Sequence, residues 1–141
     1  MIQQLKLGLG LMAVVFTHAC NQQNKPASAP HEILRADQGR EIRVPVGEIV
    51  RVRLRSIPTA GYLWRLASPL PAFLESAGEE TLPTSPAQSQ PGFTGGEHWL
   101  VFAYKPKAKG RAELVFLEGR PWELEAGAKP SDTFRVTLIA E

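Results

Sequence analysis

The sequence predicts an all-β fold, a sandwich of two antiparallel sheets made from about seven strands. Three observations carry that prediction. Apolar and polar residues alternate with period two through most of the chain after His31, the spacing that turns one face of a strand inward and the other outward. Clusters of Gly, Pro and Ser punctuate that pattern at short intervals, as the turns between short strands require. No stretch of helical spacing carries the capping residues that would let it compete. At 141 residues, 43% hydrophobic and 21% charged, the chain has room for one domain with a packed core.

The first twenty residues stand apart. Lys6 is a thin positive n-region, and Leu7 to Phe16 is an apolar run shorter than the roughly 20 residues a membrane-spanning helix needs. Residues 1–20 are therefore expected to be an export signal. Cys20 is the only cysteine, so no intramolecular disulfide can form. Its place after Ala19 resembles the lipobox of bacterial lipoproteins, although Thr17 stands where that motif usually has Leu and His18 where it has a small residue. The resemblance implies a lipidated Cys20, a membrane anchor and a place in the bacterial cell envelope. The alternative is an ordinary export signal with a chance cysteine and a periplasmic or secreted product. Asn21 to Pro30 holds no large apolar residue, so residues 21–31 are expected to be a tether before a domain at 32–141. Fully extended, those ten residues reach at most about 35 Å.

The expected strands are Glu41 to Val46, Ile49 to Arg55, Tyr62 to Leu66, Ala72 to Ser76, His98 to Tyr104, Arg111 to Leu117 and Thr133 to Ala140. In the second, Val50, Val52 and Leu54 share one face and Arg51, Arg53 and Arg55 the other. The arginine row reads as a solvated face that discourages edge pairing, with an anion-binding stripe as the alternative. In the third, Tyr62, Trp64 and Leu66 face together. Trp64 is expected in the core, where it resembles the buried tryptophan of immunoglobulin-like sandwiches without the disulfide that usually packs on it.

Three connections depart from simple turns. Ser56 to Gly61 ("SIPTAG") pairs a proline that fixes its own φ with a glycine that permits positive φ. Thr81 to Gly96 ("TLPTSPAQSQPGFTGG") is long and ends on a double glycine, and loops of such length are usually functional or disordered. Glu118 to Glu123 ("EGRPWE") puts a tryptophan where no strand requires one. In a seven-strand sandwich these connections fall at the same end, so they are expected to form one surface.

The motifs on those loops carry a resemblance. Pro58 to Tyr62 ("PTAGY"), Gly95 and Gly96 followed by Trp99, and Arg120 to Trp122 ("RPW"), in that order, resemble the chagasin family of cysteine-peptidase inhibitors. The resemblance covers about Val44 to Ala140. It implies an immunoglobulin-like sandwich whose loops enter the cleft of papain-like cysteine peptidases without covalent chemistry. Pro58, Thr59, Ala60 and Gly61 would then lie over the catalytic cysteine; Tyr62, at the head of the next strand, is expected to pack under that loop, with a place among the peptidase contacts as the alternative. Phe93, Gly95 and Gly96 would take one side of the cleft, and Arg120, Pro121 and Trp122 the other. Ile57 stands where the family has Asn, and Ala60 where it often has a second Thr. The family's first glycine of the second loop is replaced by Phe93 or shifted to Gly92.

Other classes fit less well. A net charge of +2 with scattered basic residues offers nothing that would hold nucleic acid. No nucleophile elbow, P-loop, dinucleotide fingerprint or metalloprotease motif occurs, so no enzyme, cofactor or metal is expected. His98 beside Glu97 is no metal pair, because adjacent strand residues point to opposite faces. A monomer is expected. The competing reading is an envelope or sugar-binding sandwich lipoprotein that uses Trp122 and Phe93 as stacking platforms.

Overall fold

The computed structural model describes residues 28–141, so the export signal, Cys20 and most of the tether lie outside the described residues. The strands are β1 (His31–Ile33), β2 (Glu41–Val44), β3 (Val50–Ser56), β4 (Leu63–Leu66), β5 (Leu74–Pro83), β6 (His98–Pro106), β7 (Gly110–Gly119) and β8 (Asp132–Ala140), with a short helix α1 (Pro121–Glu125). They form two four-stranded sheets, β1-β3-β6-β5 and β2-β8-β7-β4. The sandwich is thus as expected, with one strand more.

The extra strand is β1. Its three residues are too short to show a period, and it pairs parallel with β3, His31 opposite Val50. His31 therefore belongs to the domain, not to the tether. β2 pairs parallel with β8, so the sheets are not wholly antiparallel: both parallel pairs lie at sheet edges, and all the other pairings are antiparallel. β5 also runs past its expected end at Ser76 to Pro83, through a bulge between Ser76 and Gly78. Only Leu74 of this edge strand is buried, so the remainder never needed the apolar alternation by which strands are recognised.

The core lies between the sheets. Val50, Val52 and Leu54 from β3 meet Leu114 and Phe116 of β7 and Phe134, Val136 and Leu138 of β8, all buried. Phe116 is at the centre, its ring centroid 5.2 Å from Phe102, 6.5 Å from Tyr104 and 6.3 Å from Phe134 in tilted pairs, the geometry aromatic quadrupoles prefer. Trp64 is 6% exposed, and its Nε1–H donates to the Arg55 carbonyl at 2.8 Å. That bond satisfies the one polar atom a buried indole carries.

The arginine row faces out, but β3 is an inner strand, so the row protects no edge. It is neutralised by carboxylates instead. Arg51 pairs with Glu80 and lies 3.8 Å from Glu32, Arg53 lies 3.7 Å from Glu32, and Arg55 lies 3.3 Å from Glu97. The Arg53 and Arg55 guanidinium groups also sit 5.0 and 4.8 Å from the Trp99 ring centroid, a favourable cation–π arrangement.

Tyr104, 4% exposed, has its phenol pushed above the ordinary tyrosine range by burial and then by the Glu79 carboxylate. The folded state thus holds a proton that the unfolded chain releases near pH 10. Stability is intact below that pH and falls as pH rises past it. Tyr104→Phe is expected to flatten this alkaline fall, seen as denaturant midpoints that change less between about pH 8 and about pH 11 than in the parent.

Candidate functional site

All three unusual connections meet at one end of the sandwich. The first, between β3 and β4, is a turn of 3₁₀ helix over Pro58–Ala60 that ends on Gly61 in the left-handed region, φ 85° and ψ 2°. The turn is closed by backbone bonds from Ala60 N–H to the Ile57 carbonyl, 3.0 Å, and from Gly61 N–H to the Pro58 carbonyl, 2.9 Å. Proline fixes the first position of the turn, and only glycine meets the left-handed exit without strain. Ser56 anchors the loop from below. Its buried hydroxyl lies 2.8 Å from the Tyr62 carbonyl and 2.6 Å from Glu118 Oε1, two acceptors for its single proton, at the point where both ends of the loop meet the adjoining β7.

The third connection is not an open loop. Pro121 takes the first position of α1 and Glu123 lies in its first turn, where proline is preorganised and an acid complements the helix N-terminus. Leu124 packs back over Gly119, where an added Cβ would come within 2.9 Å of the leucine side chain. Five residues are too few to display a helical period, which is why the sequence reads as a loop. Trp122, 59% exposed, leans over the first loop. A Cβ at Gly61 would lie 2.6 Å from Trp122 Cη2.

Arg120 links the two loops from the side. Its Nε–H donates to the Ala60 carbonyl at 3.0 Å, its Nη1 reaches Glu123 Oε1 at 3.2 Å, and its guanidinium lies 4.9 Å from the centre of the Tyr62 ring. Tyr62 is half-buried beneath it. Neither side chain is a free arm; both hold the loops in register. Arg120→Lys, which keeps the charge but loses the Nε donor and the planar stack, is expected to destabilise the chain by about 1 kcal/mol in urea unfolding.

The second connection, between β5 and β6, flanks the first loop from the other side. Gly95 and Gly96 have φ of 78° and 85°, a succession closed to other residues without strain. A Cβ on Gly95 would sit 3.8 Å from Thr59 Oγ1, and one on Gly96 3.7 Å from the Phe93 ring. Phe93 itself is 46% exposed. Gln88, in the 3₁₀ turn Pro86–Ser89, accepts from Ser85 N–H at 3.2 Å and donates to the Glu97 carbonyl at 2.7 Å. This stiffens a segment whose Pro, Ser and Gln content resembles a linker.

The predicted site residues therefore come together: Thr59, Ala60 and Gly61 lie centrally, flanked by Gly95 on one side and by Arg120 and Trp122 on the other. Four residues that position them were missed. Ser56 was legible from strand parity, since it continues the inward series Val50, Val52, Leu54. Gln88 follows Ser85 at capping-box spacing. Glu118 and Glu123 carried no signal, because their partners are distant in sequence or depend on the unforeseen helix.

Residues 43–138 match the model of the chagasin family peptidase inhibitors, I42. The chain belongs to the chagasin family. Amoebiasin-2 of Entamoeba histolytica is 23% identical to it over 111 residues, which cover 79% of this chain and 87% of that protein. The crystal structure of EhICP2, a cysteine protease inhibitor from the same organism, aligns with a TM-score of 0.66 at 18% identity, covering 79% of this chain and 95% of the other. The solution structure of amebosin aligns with a TM-score of 0.60 at 22% identity, covering 80% and 100%. At such identities the two structures establish a shared fold, the immunoglobulin-like sandwich. Chagasin-family membership makes this chain a peptidase inhibitor and not an enzyme, and it gives no support to the sugar-binding alternative.

Proposed function

We propose that the chain is a reversible, non-covalent inhibitor of papain-like cysteine peptidases that fills the active-site cleft with three loops. The observation that carries this reading is the central position of Pro58–Gly61, supported on both sides by elements far away in sequence. In this reading Thr59 and Ala60 lie over the catalytic cysteine, Phe93, Gly95 and Gly96 line one wall, and Pro121 and Trp122 the other. Tyr62 and Arg120 act from behind as props. A loop tied by Ser56, Arg120 and its own backbone bonds loses little freedom on binding, and that raises affinity and resists cleavage.

Titration of papain with the chain is expected to give tight, reversible inhibition. Thr59→Arg, which puts a long charged side chain at the exposed tip, is expected to weaken it at least about tenfold. No inhibition of papain at micromolar concentration would overturn the reading. The sequence of residues 7–20 supports a further part of the proposal: the chain is exported and held to a membrane through acylated Cys20, which the mass of the processed N-terminus would reveal.

A further inference from the structure

We propose that the end of the sandwich opposite the three loops is a lipid-facing surface, which seats the domain on an anionic phospholipid membrane and points the peptidase-binding edge away from it. The proposal rests on the reading of Cys20 as the membrane attachment. The direction of the chain is its first support. β1 enters at His31 opposite Val50, the first residue of β3, and β3 runs from there to Ser56 beneath the loops. Whatever precedes His31 therefore arrives at the far end. β7 spans the sandwich with ten residues, which at about 3.4 Å per residue puts roughly 30 Å between that end and the loops.

The chemistry of that end is the second support. The Pro45–Ile49 turn, the β6–β7 turn and the C-terminus meet there, joined by Gly47 N–H to the Pro106 carbonyl at 2.8 Å and by Val46 N–H to the Glu141 carbonyl at 3.1 Å. His31 N–H donates to Ile49 in the same group at 2.9 Å. Val46 and Ile49 are 39% and 41% exposed, two aliphatic side chains held out on a turn. Beside them Lys105, Lys107 and Lys109 are exposed and form no ion pair among the described residues. The nearby arginines differ, since Arg43 meets Glu141 at 3.1 Å and Arg111 meets Glu41. Of the acids, Glu48 holds His31 at 3.1 Å, and Glu75 faces Lys105 across the strands. Aliphatic side chains at headgroup depth with ammonium groups on lipid phosphates are how a basic surface rests on an anionic bilayer.

The single thiol supplies the test. The chain from Cys20 onward is coupled through that cysteine to maleimide lipid in vesicles of phosphatidylglycerol or of phosphatidylcholine. Lysine acetylation is then read by mass spectrometry, with Lys129, exposed between α1 and β8 at the loop end, as the internal standard. Acetylation of Lys105, Lys107 and Lys109 relative to Lys129 is expected to fall several-fold on phosphatidylglycerol only. It should recover in about 0.5 M salt, where charges are screened within a few ångström. Equal ratios on the two vesicles, or protection of Lys129 instead, would overturn the proposal. Papain is expected to be inhibited by the coupled chain as it is in solution. Inhibition lost on vesicles alone would place the loops against lipid and also overturn it. Inhibition absent in both settings would instead refute the inhibitor reading, and the lysine ratios would still judge this surface. An unacylated Cys20 in the native chain would remove the attachment on which the surface depends.

Discussion

Gly61→Ala is expected to weaken papain inhibition by at least about tenfold and to destabilise the domain by about 1 to 2 kcal/mol, the cost of a side chain in the left-handed region. Two effects act together. The backbone at Gly61 has a φ of 85°, and the added methyl would come 2.6 Å from Trp122 Cη2. Real contacts do not close to that distance, so the indole must swing away and the middle and third loops part. Because Trp122 is 59% exposed, the ring has somewhere to go, and the loss should appear more in binding than in folding. A double-mutant cycle separates the parts: in a Trp122→Ala background the steric component vanishes and only the backbone strain remains. Inhibition by Gly61→Ala equal to that of the parent would show that the packing of Trp122 on the first loop has no role in binding.

Trp122→Ala is expected to tip the balance still further towards binding. As the most exposed large apolar side chain at the loop edge, ahead of Phe93 at 46% and Ile57 at 41%, Trp122 has the most surface left to bury against a partner. Loss of about 2 to 4 kcal/mol of binding, roughly a 30- to 900-fold rise in the inhibition constant, is the scale for a tryptophan at the centre of an interface. Thermal stability should hardly change, since Trp122 is 59% exposed and outside the core. A large fall in stability with unaltered inhibition would mark Trp122 as structural. Comparison with Phe93→Ala tells whether the two walls contribute equally.

The sequence by itself determined the parts of this protein that are periodic or local. Alternation marked seven strands and put Trp64 inside, because a strand buried on one face has to keep its apolar residues in step. Pro58 and Gly61 declared a stiff turn with a left-handed exit, since each residue restricts its own backbone whatever surrounds it. The order of three short motifs pointed to the family. Other features were illegible for equally physical reasons. A three-residue β1 and a five-residue α1 hold less than one interpretable period, and β5 after Leu74 is an exposed edge that owes nothing to apolar patterning.

Only the tertiary structure decided what the loop residues do for one another. Arg120 resembled a contact residue in sequence. Sixty residues apart from Ala60 along the chain, Arg120 proves to be a brace, with its Nε 3.0 Å from the Ala60 carbonyl. The arginine row on β3 likewise resembled an edge guard until the strand order placed it inside a sheet, with Glu32, Glu80 and Glu97 opposite. Periodicity reports which face a residue occupies; it carries no information on which distant residue shares that face. That is set by the pairing of the strands, and with it the edge that meets a peptidase.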